Sequence, residues 1–132
     1  MIKKICIVSV ISFAFLFLFA QDDALKKSMK RGEEIYASNC AGCHQPAGEG
    51  VPDAFPPLAK TSFLKNQQRA IGIVLNGIEG EIIVNGKKYN IPMAGLNQLS
   101  DNEIADVLNY VSNSWGNKNP VIKPLQVKTI RK

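Results

Sequence analysis

Apolar residues recur along this chain in separable patterns. From Leu25 to Tyr36 they fall three and four apart, at Leu25, Met29, Gly32, Ile35 and Tyr36. That spacing sets one face of a helix against a core. Gly32 lowers helix propensity inside the stripe, so it predicts a close helix crossing. A second stripe, Ile104, Val107, Leu108 and Val111, follows Ser100 and Glu103, which are spaced as a capping box. Tyr110 lies beside this stripe, and Trp115-Gly116 ends it. A middle helix is expected from about Asn66 to Leu75, with Gly77 as its C-cap.

Other stretches break the helical period. EIIVNGKKYNI centres on Asn85-Gly86, a strong signal for a two-residue hairpin turn. GEGVPDAFPPLAK is rich in glycine and proline and predicts an irregular loop. The ending NPVIKPLQVKTIRK is basic and interrupted by prolines, and it predicts an extended tail over 118–132. The pattern therefore describes a small all-α domain over 21–117, with about three to five short helices and one short β-hairpin.

The first twenty residues follow a third pattern. Lys3 and Lys4 precede an apolar run from Ile5 to Ala20, broken only by Ser9 and Ser12, and QDD follows at once. A basic start, an apolar middle and a small residue at the end make a secretory signal peptide. The run is short for a spanning helix, which needs about 20 residues. Leu18 occupies a position where cleavage favours a small residue, so a retained N-terminal anchor is the competing reading. Under either reading the lysines stay inside and the rest is exported, as in a periplasmic protein or one held on the outer face of the inner membrane.

Charge narrows the partners only slightly. The formal net charge is +5, and losing Lys3 and Lys4 with the signal leaves +3. The remaining basic residues are scattered, without a dense stripe or interleaved aromatics, which gives a nucleic-acid-binding face little support. A docking face for an acidic partner fits, and so does a merely solvated surface.

Candidate chemistry is concentrated in one pentapeptide. Of the three cysteines, Cys6 lies in the apolar run, leaving Cys40 and Cys43; the single histidine, His44, adjoins Cys43 in CAGCH. A disulfide across two residues closes too small a loop to stabilise much. A thioredoxin-like pair needs a preceding strand, and the residues before Cys40 read as helix. A structural zinc site needs four ligands, and at most three are present. Haem attachment explains all five positions: two thiols add to the two vinyl groups of one porphyrin, and the next residue reaches the iron beneath the ring.

One protein ligand leaves haem iron open to small molecules, whereas two suit electron transfer. With no second histidine, the sulfur candidates are Met1, Met29 and Met93. Met1 lies in the signal. Met29 sits in the helix leading to the attachment site, on the side of His44, and reads as core filler. Met93, in a loop before the last helix, is the remaining candidate. A metal-bound histidine commonly gives its other N–H to an acceptor, and a proline carbonyl in the following loop suits that role. Pro56 is the candidate, with Pro57 beside it.

In CAGCH, GEEIYASNCAGCHQPAGEGV, PPLA and LSDNEIADVLNYVSNSWGN, the chain resembles the class I c-type cytochromes from about Leu25 to Gly116. It is similar to domains that occur alone or attached to quinoprotein dehydrogenases, copper nitrite reductases and terminal oxidases. The resemblance implies a cytochrome c fold, thioether bonds from Cys40 and Cys43, and axial ligation by His44 and Met93. It also implies that the Gly32/Tyr36 helix crosses the C-terminal helix near Tyr110, and that the protein carries electrons between redox partners rather than transforming a substrate. Pro92 precedes Met93 here, whereas the family commonly has proline after the methionine. Two alternatives stand beside the free carrier: a resident subunit of a larger exported oxidoreductase, and a gas-binding or peroxidase-like haem protein with an open distal face.

Overall fold

The computed structural model describes residues 22–131; the signal or anchor reading of residues 1–20 lies outside them. Helix α1 is helical through residues 22–39 and is followed by a single turn, α2 (Ala41–His44). After a long loop come a 3₁₀ turn (Phe63–Lys65), α3 (Gln67–Asn76) and β1 (Gly77–Ile78). Strands β2 (Ile82–Val84) and β3 (Lys87–Tyr89), β4 (Met93–Ala94), α4 (Asp101–Asn113) and α5 (Pro124–Ile130) complete the order.

Local chemistry sets the helix ends. The Asn66 side chain accepts from the Arg69 N–H to open α3, and Gly77 closes it in a left-handed conformation. At α4 the Ser100 hydroxyl accepts from the Glu103 N–H at 3.3 Å, while the Glu103 carboxylate accepts from the Ser100 N–H at 2.8 Å. This reciprocal cap satisfies two of the helix's free donors. The hairpin forms at Asn85 and Gly86, both with positive φ, and pairs Ile82 with Tyr89. Val84 and Tyr89 point inward from it. A second antiparallel pair joins β1 to β4, with Ile78 opposite Met93. Two-residue strands carry no periodic signal, so the sequence pattern shows only the hairpin.

The core centres on the crossing of α1 and α4, as the resemblance implied. A Cβ built on Gly32 would overlap the carbonyl of Asp106 and lie 2.9 Å from the Tyr110 Cβ. Only a glycine lets the two backbones come this close. Around the crossing, Tyr36, Tyr110 and Trp115 pack with ring centroids 5.0–5.5 Å apart. The buried Asp106 carboxylate accepts from Arg31 Nε at 2.6 Å, Arg31 Nη2 at 2.7 Å and the Ser28 hydroxyl at 2.6 Å.

The C-terminal segment departs from its expected form. Residues 124–130 are a helix, not an extended tail, and α5 packs against α3 and α4. Pro124 begins this helix, where its missing N–H costs nothing and its fixed φ is already helical. Gln126 accepts from the Lys123 N–H at 2.7 Å. Ile122 and Val127 are 1% and 0% exposed, and burying each contributes on the order of 1.5–3 kcal/mol. The prolines read as breakers therefore flank and start a helix, and the described part of the tail belongs to the domain.

Gly32→Ala tests the crossing. Helix propensity alone would stabilise this change by about 1 kcal/mol. The overlap is with backbone, which cannot rotate aside, and overpacking costs about 1–3 kcal/mol or more. The expected result is a net loss of about 2 kcal/mol in urea unfolding. A stability gain would show that the helices can separate freely.

Candidate functional site

The site is built outward from the end of α1. The Cys40 N–H donates to the Tyr36 carbonyl, and the His44 N–H to the Cys40 carbonyl, both at 2.9 Å. This turn leaves Cys40 half-buried, Cys43 exposed and His44 buried. The chain then reverses. Gln45, Gly48 and Gly50 have positive φ, the Gly50 N–H donates to the His44 carbonyl, and Val51 and Phe55 exchange two backbone bonds.

That tight loop returns Pro56 to the imidazole, whose Nδ1 lies 2.9 Å from the Pro56 carbonyl oxygen. A carbonyl can only accept, so Nδ1 carries the proton and Nε2 keeps its lone pair. Burial holds the His44 imidazole below its ordinary pKa, although the bond to Pro56 opposes the shift. The ring is therefore neutral near pH 7 and able to ligate. Burial, with the neighbouring Cys43, pushes the Cys40 thiol up to about 11. A thiol so protonated is a slow partner in disulfide exchange, which counts against a redox switch.

Another part of the cavity lining comes from β4. Its backbone pairs with β1, and the Leu96 N–H donates to the Val74 carbonyl at 2.7 Å, which fixes the segment around Met93. Met93 and His44 line one cavity of about 390 Å³, with Cys40 and Cys43 also in its lining. The rest of the lining is largely aliphatic and aromatic, including Phe55, Leu58, Leu64, Val74 and Leu108. Met29 is half-buried on α1 and outside this lining.

These residues fit a covalently held porphyrin. They supply two thiols on one turn, an imidazole with a free nitrogen, a thioether in the same lining and an apolar cavity of ligand size. Zinc fits poorly: among the described residues no group of three or more His, Cys, Asp or Glu is placed to hold a metal ion.

Two supporting residues make polar bonds that carried no sequence signal. Asn117 donates to the carbonyls of Leu58 at 2.7 Å and Val111 at 2.9 Å, and accepts from the Thr61 N–H at 3.2 Å. It thereby pins the loop after Pro56 to the end of α4. Tyr36 donates to the Gln45 carbonyl at 2.7 Å, linking the helix crossing to the turn after His44. An asparagine in a loop is ordinary, so neither bond could be inferred from spacing.

Comparison with known proteins agrees with this geometry. Residues 29–115 match the family model described as Cytochrome c. A cytochrome c-552 of Thermus thermophilus is 40% identical over 126 residues, spanning 90% of this chain and 82% of the relative. A cytochrome c6 of Cyanidium caldarium is 31% identical, over 84% of this chain and 93% of its own length. The cytochrome c subunit of a quinone alcohol dehydrogenase from Gluconobacter oxydans is 38% identical over 67% of this chain, but over only 19% of the subunit.

Gly50→Ala probes the support of His44. Gly50 has φ of +69°, and a Cβ there would overlap the Phe55 carbonyl and lie 2.7 Å from the Pro56 carbonyl carbon. Left-handed strain costs about 1–2 kcal/mol and the overlap adds to it. The expected result is a loss of about 2–3 kcal/mol in denaturant unfolding of the holoprotein. An unchanged midpoint would mean that this loop tolerates movement.

Proposed function

The chain belongs to the cytochrome c family, and from that premise we propose that it carries single electrons between exported redox proteins, with His44 and Met93 as iron ligands. The family attaches its haem covalently, and its relatives c-552 and c6 are carriers rather than enzymes. The observation that supports the ligand assignment is the shared cavity, whose lining includes His44, Met93 and the two cysteines.

Bound haem c supplies a one-electron iron centre. Cys40 and Cys43 hold it through thioether bonds. The Pro56 carbonyl orients the His44 ring and raises its basicity through Nδ1–H. Met93 contributes a soft, neutral sulfur that favours the ferrous state. The apolar lining keeps water away. Cys43, Ile91 and Pro92 line the cavity and are exposed, so they mark its edge toward solvent.

Residues 1–20 are read as the export signal, or as an anchor if retained, which locates the carrier in the periplasm or on the outer face of the inner membrane. Its donors and acceptors belong to the classes served by such carriers: dehydrogenases, reductases and terminal oxidases. A resident-subunit role is supported by the 38% identity to the dehydrogenase subunit. The match over 82% of a c-552 favours the carrier. Met93 in the cavity weighs against an open distal face.

Visible spectra of the holoprotein and of Met93→Ala test the assignment. The wild type should be low-spin in both oxidation states, with a weak far-red sulfur-to-iron band. The variant should lose that band, bind carbon monoxide when reduced, and fall in potential by ~100 mV or more. A wild type that is already high-spin and binds carbon monoxide readily would replace electron carriage with gas binding or catalysis.

A further inference from the structure

Arg131 closes α5, and its guanidinium reaches back to the segment between β4 and α4. Nη1 donates to the Asn97 carbonyl at 2.9 Å, Nη2 to the Leu99 carbonyl at 2.6 Å, and Nε to the Asp101 carboxylate at 2.6 Å. All three acceptors lie within eight residues after Met93, Asn97 and Leu99 in the connection and Asp101 at the start of α4.

We propose that Arg131 is a positioning residue for the loop that carries Met93, and that it limits how readily the thioether yields its place to a competing ligand. This rests on the reading of Met93 as an iron ligand. On its upstream side the loop is fixed by the β1–β4 pairing and by the Leu96 bond to Val74. Residues 95–100 have no regular secondary structure and share one internal backbone bond, from the Leu99 N–H to the Leu96 carbonyl, so most of their restraint comes from outside the segment. On the downstream side Arg131 supplies such bonds beside the Ser100–Glu103 cap.

The geometry suits arginine alone. Three N–H groups on one rigid plane meet two carbonyls and a carboxylate, which a lysine ammonium cannot match in the same arrangement. Arg131 and Asp101 are 30% and 28% exposed at their side chains, so the ion pair by itself would contribute little. Its effect comes from convergence on a fixed anchor. The Arg131 N–H donates to the Val127 carbonyl at 2.9 Å, Val127 is fully buried, and Gln126 reaches Gln67 on α3. Displacing the Met93 sulfur requires its loop to shift away from the iron. A restraint present only in the closed arrangement lowers the population of the shifted one.

Imidazole titration of the ferric holoprotein, followed by loss of the far-red band, reads this directly. Arg131→Met should bind imidazole about tenfold more tightly than wild type, and Arg131→Lys should fall between them. Arg31→Met is the control. It removes a bidentate bond to Asp106 at the α1–α4 crossing, so it should lower the denaturation midpoint yet leave imidazole affinity within about twofold. An unchanged affinity in both Arg131 variants overturns the proposal, as does an equal rise in Arg31→Met. Met93→Ala separates the underlying reading: if it keeps the far-red band and wild-type imidazole affinity, the ligand assignment falls, and the positioning role falls with it.

Discussion

The cavity lined by His44 and Met93 has to stay open and apolar, although its lining comes from distant parts of the chain. Close packing alone would tend to collapse such a cavity, and backbone left without partners would admit water. The fold answers with hydrogen-bonded backbone on both sides. The Val51–Phe55 bridge and the Gly50 bond to His44 hold one wall. The β1–β4 pairing and the Leu96 bond to Val74 hold the other. Residues of α4, among them Val107, Leu108 and Val111, also line the cavity.

A polar network ties that arrangement to both ends of the described chain. Burying the Asp106 carboxylate unpaired would cost several kcal/mol, so its three donors from Arg31 and Ser28 are a condition of the α1–α4 crossing. Asn109 extends the network: its amide donates to the Ser28 hydroxyl and the Ile122 carbonyl, and its oxygen accepts from the Ile122 N–H at 2.7 Å. The same asparagine therefore fixes α1 on one side and the approach to α5 on the other. Each bond is modest alone, near 0.5–1.5 kcal/mol net, but leaving its partner buried and unpaired costs more.

What the sequence showed and what it hid follow from the range of each signal. CAGCH, the Ser100–Glu103 cap, the Asn85-Gly86 turn and the stripe from Ile104 to Val111 are local, and each folds as its spacing predicts. The Pro56 acceptor could be foreseen because a buried histidine needs a partner for its second nitrogen, and the irregular loop offered a free carbonyl. Long-range features left no comparable trace. Pro124 looked like an interruption because its meaning depends on whether a helix begins there. The clamp by Arg131 and the bridge by Asn117 join residues whose proximity only the folded chain creates.

Two influences on the iron's potential act in opposite directions, and their sizes decide between them. The hydrogen bond to Pro56 from His44, the proposed ligand, would make the imidazole a stronger donor and favour the ferric state. A bond of this kind is worth about 0.5–1.5 kcal/mol. The apolar lining opposes it, because the ferric centre carries one more positive charge into a poorly solvated site. Burying a charge in a protein costs several kcal/mol even after relaxation. The thioether of the proposed ligand Met93 adds to the same side, being neutral and soft. Burial and sulfur ligation should therefore set a potential above that of a solvent-exposed, bis-imidazole centre, and the Pro56 bond trims it. The loops matter for the same reason: a wall that opened would admit water, and water would remove the larger of the two terms first.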